Sequence, residues 1–237
     1  MLELKNVSYV VQEKGVEKII LNNISCIFED ETLTAITGHN GSGKSTLTKI
    51  IMGLIKPTSG KIFYKGKDIT NLSIDKRANL GLNYAFQQPV VFSGITIKDL
   101  IDIASKDKNS VSKACEYLSR VGICAKEYIN REFNKTLSGG EQKRIELALA
   151  LAKKGDCLIF DEPEAGIDLW SFEKLNNLFD KTKCNIVVSH QERLLNNADK
   201  ILVLKNGEIE LFGNAKQVLK KIGKTTCAKI GGKNEVR

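Results

Sequence analysis

Apolar and polar positions change their spacing several times along the chain, and each change marks an element. Residues 2–10, 19–28 and 32–37 carry β-branched and aliphatic side chains in strand-like runs, and the third runs into a glycine-rich turn. A helical period follows at once. Leu47, Ile50, Ile51 and Leu54 share one face of a helix predicted over 44–53, which Pro57 closes. Short strands at 61–64 and 82–86 precede helical periods over 97–104, 111–121 and 140–153, so the stretch between Ile95 and Gly155 reads as an inserted helical subdomain. Strands return at 157–161, 185–189 and 200–204, separated by helical stretches at 171–179 and 191–197, the alternation of a parallel sheet. Asn206 and Gly207 predict a hairpin turn into a last strand over 208–212.

Composition bounds this picture without changing it. With 237 residues, 42% hydrophobic and 27% charged, with 19 Gly and 3 Pro, the chain is globular rather than disordered or fibrous, and has room for one domain or a core with a subdomain. The longest apolar stretch, 147–152, falls far short of the roughly 18 residues of a spanning helix, so no transmembrane segment is expected. Residues 1–10 alternate and lack the apolar core of a secretory signal. Cys26, Cys115, Cys124, Cys157, Cys184 and Cys227 are scattered, without metal-ligand spacing, and are expected to be buried free thiols in a reducing, cytoplasmic location. The net charge is +8, and residues 220–237 hold six cations against Glu235, which accounts for five of those charges. A basic, solvated tail explains the excess better than a nucleic-acid surface, and no direct nucleic-acid partner is expected.

Chemistry enters at the glycine-rich turn. Gly38-His39-Asn40-Gly41-Ser42-Gly43-Lys44-Ser45 fits G-x-x-x-x-G-K-[ST], between a predicted strand and a predicted helix as a phosphate loop requires. Glycines let backbone N–H groups converge on phosphate oxygens, and the helix N-terminus adds partial positive charge. Lys44 reaches the terminal phosphates and the Ser45 hydroxyl ligates Mg2+. Gly38, Asn40, Gly41, Ser42, Gly43, Lys44, Ser45 and Thr46 are therefore the expected triphosphate contacts. The complementary half of such a site is an acid at the end of an apolar strand, which Leu158-Ile159-Phe160-Asp161-Glu162 supplies. Asp161 would hold Mg2+ and Glu162 would orient or deprotonate the attacking water. Leu137-Ser138-Gly139-Gly140-Glu141 reads locally as a serine cap opening an amphipathic helix.

That last pentapeptide also resembles the signature motif of the ATP-binding cassette (ABC) family, whose other elements fall in order around it. Gln87, directly after the 82–86 strand, matches the family's Q-loop glutamine, with Gln88 the less fitting competitor. Asp168 in Ala165-Gly166-Ile167-Asp168 matches the D-loop aspartate, and His190 the switch histidine that contacts the γ-phosphate. Tyr9 stands where the family has an aromatic that stacks on adenine, with simple strand packing as the other reading. The resemblance implies a P-loop α/β fold with a mixed sheet core, an antiparallel N-terminal β subdomain and an inserted helical subdomain. One cassette domain would span 1–219, its core at 1–88 and 155–219 and its helical part at about 89–154, followed by the basic tail 220–237. It further implies a Mg2+-dependent ATPase with Lys44, Glu162 and His190 catalytic. Ser45, Gln87 and Asp161 would surround the metal. Two chains would meet head to tail around two ATP, Ser138, Gly139 and Gly140 of each binding the ATP held by the other.

Departures from the transporter pattern narrow the resemblance. Glu146 and Leu149 replace the Ala and Arg usual after a transporter signature. Glu141, Lys143-Arg144 and Glu146 instead resemble SufC, the cassette ATPase of iron-sulfur cluster assembly, as do Ala85-Phe86-Gln87-Gln88-Pro89, Asn130-Arg131 with Asn134, the 162–168 segment, and His190-Gln191-Glu192-Arg193-Leu194-Leu195. That likeness implies a SufB-like scaffold as partner. The alternative is a subunit of a membrane transporter, gripping a permease subunit at the inner face of the membrane through the groove around Gln87.

Overall fold

The computed structural model describes residues 1–106, 111–166 and 178–230, the last seven as backbone only. Strands β1 (Leu2–Glu13) and β2 (Val16–Phe28) form a long hairpin. Its turn is made by Lys14 and Gly15, both at positive φ, the geometry that matches strand twist. The mostly polar stretch 11–18, with only Val11 and Val16 apolar, hid the outer half of this hairpin from the hydrophobic pattern. With β4 (Ser59–Tyr64) and the two-residue β5 (Lys67–Asp68), the hairpin makes an antiparallel sheet in the order β2-β1-β4-β5.

The second sheet has six strands in the order β10-β9-β3-β8-β7-β6. β3 (Leu33–Gly38), β6 (Leu82–Ala85), β7 (Cys157–Asp161), β8 (Cys184–Val188) and β9 (Lys200–Lys205) are mutually parallel. β10 (Glu208–Asn214) is an antiparallel edge, reached through the expected Asn206-Gly207 turn, so the sheet is mixed. Every residue of β7 and β8 is buried, which is why both read as unbroken apolar runs. Alternation still divides them. Ile159, Ile186 and Val188 join Ile36, Leu47 and Ile50 in the core between the two sheets and helix α1 (Lys44–Met52). Leu158, Phe160 and Val187 join the core that continues under the helical region. There α3 (Ile97–Ser105) and α4 (Val111–Arg120) pack on α6 (Gly139–Ala152).

Helix α7 (Glu192–Asn197) matches the predicted 191–197 stretch, whereas three helices were not expected from periodicity: α2 (Ile74–Asn79) and α5 (Ala125–Tyr128) are too short to show a repeat, and α8 (Ala215–Ile230) follows the last strand. Residues 220–230, read as the start of a solvated tail, continue α8. The helix predicted at 171–179 lies almost wholly outside the described residues. Cys26, Cys157 and Cys184 are buried free thiols, and burial pushes Cys26 up to about 12. Cys124 and Cys115 correct the expectation, the first by being exposed and the second by being only half-buried.

One buried charge fixes the far end of α1. Arg77 is 1% exposed and its guanidinium donates to Ile50 O (2.8 Å), Ile51 O (2.7 Å), Leu72 O (3.0 Å) and Thr70 O (2.8 Å). The final carbonyls of a helix lack intrahelical donors and carry partial negative charge, so a cation here both caps and neutralises them. Gly53 leaves the space, since a Cβ there would lie 2.8 Å from Arg77 Nε. An Arg77→Met chain removes these donors from interior carbonyls, of which Ile50 O keeps the Gly53 N–H (3.1 Å), and is expected to lose about 3 kcal/mol or more of stability. Urea unfolding checks this; an unchanged midpoint would contradict it.

Candidate active site

β3 ends at Gly38, where the phosphate loop begins, and the loop passes directly into α1. Only glycine fits at Gly38, where φ is 142° and a Cβ would lie 2.0 Å from Leu204 O. Gly43, the N-cap of α1 at φ 98°, lies against Leu21, whose Cδ2 would be 2.6 Å from an added Cβ. Ser42 N–H donates to His39 O (3.1 Å), tightening the loop, while Ser42 Oγ is buried without a protein partner. Lys44 crosses the loop to donate to Gly38 O (2.9 Å) and His39 O (3.0 Å). Burial lowers its pKa, and the nearby Glu162 and Asp161 carboxylates oppose that shift. Loop, helix N-terminus, orphan hydroxyl and ammonium together make a cradle for a polyphosphate. Asn40 and Gly41 are exposed at its rim and Thr46 follows on α1.

The buried strand β7 brings Asp161 to the same place. Ser45 Oγ donates to Asp161 Oδ1 at 3.0 Å, and Tyr84 OH to Asp161 Oδ2 at 2.8 Å. A hydroxyl and a carboxylate this close form an all-oxygen donor set that fits Mg2+. The backbone then turns sharply. Glu162 has φ 48°, a left-handed conformation that is costly for a residue with a side chain and is secured by Glu162 N–H donating to Val188 O (3.0 Å). Its carboxylate accepts from Gln87 Nε2 at 2.6 Å and has His190 Nε2 3.9 Å away. Lys44, Ser45, Gln87, Asp161, Glu162 and His190 thus converge from four separate segments. His190 is held below its ordinary pKa, first by burial and then by the positive charge of Lys44, with Glu162 opposing and His39 adding a smaller push.

Other expected residues lie elsewhere. Ser138 caps α6 in a reciprocal box: Ser138 N–H donates to Glu141 Oε2 (2.7 Å) and Glu141 N–H to Ser138 Oγ (3.3 Å). Tyr128 OH donates to the other Glu141 oxygen. Ser138 and Gly139 are exposed, and Gly140 approaches Gly166 O so closely that a Cβ would stand 2.9 Å from it. Asp168 lies outside the described residues. Tyr9 is half-buried opposite Leu21 and packs on the core that also holds Leu47.

Two groups escaped the motif reading. Tyr84 shares the inner face of β6 with Leu82, and a phenol on a core face needs a polar partner, a signal available in the alternation. Lys143 and Glu146 were noticed for their identity but not for their contacts. Glu146 accepts from Phe86 N–H at 2.6 Å, Lys143 donates to Phe86 O and to Gln87 O (3.3 Å), and the two side chains pair at 3.3 Å. Burial raises the Glu146 carboxyl, against the pull of Lys143 and the Phe86 N–H.

A family model described as ABC transporter matches residues 21–165. The chain belongs to the ABC family. It is 38% identical over 211 residues to an uncharacterized ABC transporter ATP-binding protein of Methanocaldococcus jannaschii, covering 84% of each. It is 34% identical over 233 residues to the energy-coupling factor transporter ATP-binding protein EcfA2 of Caldanaerobacter subterraneus, covering 92% of this chain and 81% of that one. A solved dimeric cassette in a post-hydrolysis state, bound to ADP and Pi, superposes with a TM-score of 0.81 at 25% identity, over 91% of this chain and 99% of its own. The cassette accordingly has the expected P-loop α/β ABC fold and is an ATP-binding ATPase of that family.

His190 links the cassette's stability to pH. Its folded pKa lies below the unfolded 6.5, so folded chains bind fewer protons just below that pH and stability falls as pH drops through it. In an NMR titration of the imidazoles, His190 should titrate below 6.5, lower still in Glu162→Gln and higher in Lys44→Met. A midpoint at or above 6.5 would overturn this charge arrangement.

Proposed function

We propose that the cassette is the ATP-hydrolysing subunit of a membrane transporter, working as a head-to-tail pair of chains around two ATP. The observation that carries the pairing is the separation of the two motifs: Lys44, Asp161 and Glu162 are gathered at one site, while Ser138 and Gly139 stand exposed on the capped tip of α6. The dimeric form of the similar solved cassette supports it.

At each site Lys44 leaves its loop carbonyls for the β- and γ-phosphates, the loop amides and Ser42 hold the triphosphate, and Tyr9 stacks on the base. Ser45, Asp161 and Gln87 would hold Mg2+, which would supply charge neutralisation at the phosphates. Glu162 accepts the proton of the attacking water, and neutral His190 donates to the γ-phosphate side of the site. Ser138, Gly139 and Gly140 of the second chain close over that phosphate, with Asp168 near the same interface. ATP joins the chains and hydrolysis releases them.

The transporter reading is supported by the relatives, which are named as transporter ATP-binding proteins. They favour it over the SufB-like scaffold. A groove of about 300 Å3 between core and helical region, lined by Ile74, Tyr84, Phe86, Val90, Phe92 and Leu149, has apolar walls suited to a helix of a permease subunit at the inner face of the membrane. No described helix is long and apolar enough to cross a membrane. The scaffold remains a second reading because Lys143 and Glu146, where the chain resembles SufC, both grip the Gln87 loop at this groove.

A Glu162→Gln chain should bind ATP without turnover and run as a dimer in size-exclusion chromatography with saturating ATP. A monomer under those conditions would overturn the pairing. Co-purification of a polytopic membrane protein supports the transporter reading, and of a soluble scaffold the second.

A further inference from the structure

α6 does more than present the signature. Five residues beyond its cap, Lys143 and Glu146 lie one turn apart on the same face, with side chains 1% and 11% exposed. Burying two charges costs solvation that their mutual attraction repays poorly, and apolar residues of similar size commonly serve stability as well. Their hydrogen bonds point to another role, because they converge on one short stretch of backbone. β6 ends at Ala85, and Phe86 N–H, the next donor in line, goes to Glu146 rather than to a strand. Lys143 takes Phe86 O and Gln87 O. The Phe86 ring packs edge-on against Tyr84 at 4.8 Å, and Tyr84 OH holds Asp161. With the backbone fixed on both sides of its Cα, Gln87 extends its amide 2.6 Å from Glu162.

We infer that Lys143 and Glu146 are positioning residues for Gln87, a latch that fixes the Gln87 loop to the signature-bearing helix and so sets the Gln87–Glu162 contact. One rigid connection then runs from Ser138 through α6 to the carboxylate at Glu162. A pull on the signature by the second chain's nucleotide is passed to Glu162 without requiring the phosphate loop to move. The latch rests on the proposed role of Glu162 as base. It goes beyond that role by assigning the geometry of the base to two residues of the helical region whose bonds go to the backbone of the Gln87 loop and to each other.

The test uses steady-state ATP hydrolysis by the full chain together with hydrogen exchange. Glu146→Ala should lower kcat about tenfold or more while KM for ATP stays within about twofold, because orientation is lost and the phosphate loop is intact. Exchange at the Phe86 amide should accelerate. Glu146→Gln keeps an acceptor for that amide and should recover kcat to within about threefold of the parent. Lys143→Met, measured alongside, should reproduce the kcat loss if Glu146→Ala folds poorly. Parent-like kcat in Glu146→Ala and Lys143→Met would overturn the latch, as would a loss carried wholly by KM. Glu162→Gln separates the two ideas: residual turnover near the parent rate would defeat the base assignment, whereas a dead Glu162→Gln with a fully active Glu146→Ala would defeat the latch alone.

Discussion

A carboxylate that is 1% exposed must be met by donors, and the way Asp161 is met organises the site. It sits at the end of a strand with every residue buried, so its position follows from the packing of both cores. Ser45 reaches it from the start of α1 and Tyr84 from the end of β6. The phosphate loop, the strand that leads to Gln87 and the strand that leads to Glu162 are thereby tied at one pair of oxygens. Arg77 secures α1 from its other end, so the helix that carries Lys44 and Ser45 is held at both termini.

Charge around that point is balanced rather than neutralised. Burial weakens the hold of Lys44 on its proton, and the carboxylates of Asp161 and Glu162 restore part of it. The same Lys44 helps to keep His190 neutral, while Glu162 works against it. An arriving polyphosphate meets an ammonium, loop amides and the positive end of α1, and its charge is what such a half-buried cluster lacks. Glu162 bears the local backbone strain, and the contacts of its N–H with Val188 and of its carboxylate with Gln87 set the direction in which it points.

Much of this was legible in the chain. The strand, glycine turn and helix around 38–52 follow from period and spacing, and β7 is an apolar run that stops at two acids. What escaped was set by tertiary contact. The outer half of the β1–β2 hairpin is mostly polar and solvent-facing, α2 and α5 are shorter than two periods, and α8 begins where the composition turns lysine-rich. In the site, the Gln87–Glu162 contact joins residues 75 apart in the chain, which no local pattern encodes. Lys143 and Glu146 stood out by identity alone, because a buried pair on a helix looks like a surface pair until the backbone it grips is in place. The SufC-like reading drew on those same residues, and whole-chain similarity to transporter ATP-binding proteins outweighs it.

The proposed sharing of each site between two chains can be read by nucleotide trapping with two inactive variants in a Glu162→Gln background, Lys44→Ala with its signature intact and Gly139→Asp with its phosphate loop intact. Neither should trap ATP alone, and their mixture should trap one ATP for each pair of chains. Trapping by Gly139→Asp chains on their own, or no gain on mixing, would contradict a site shared between chains.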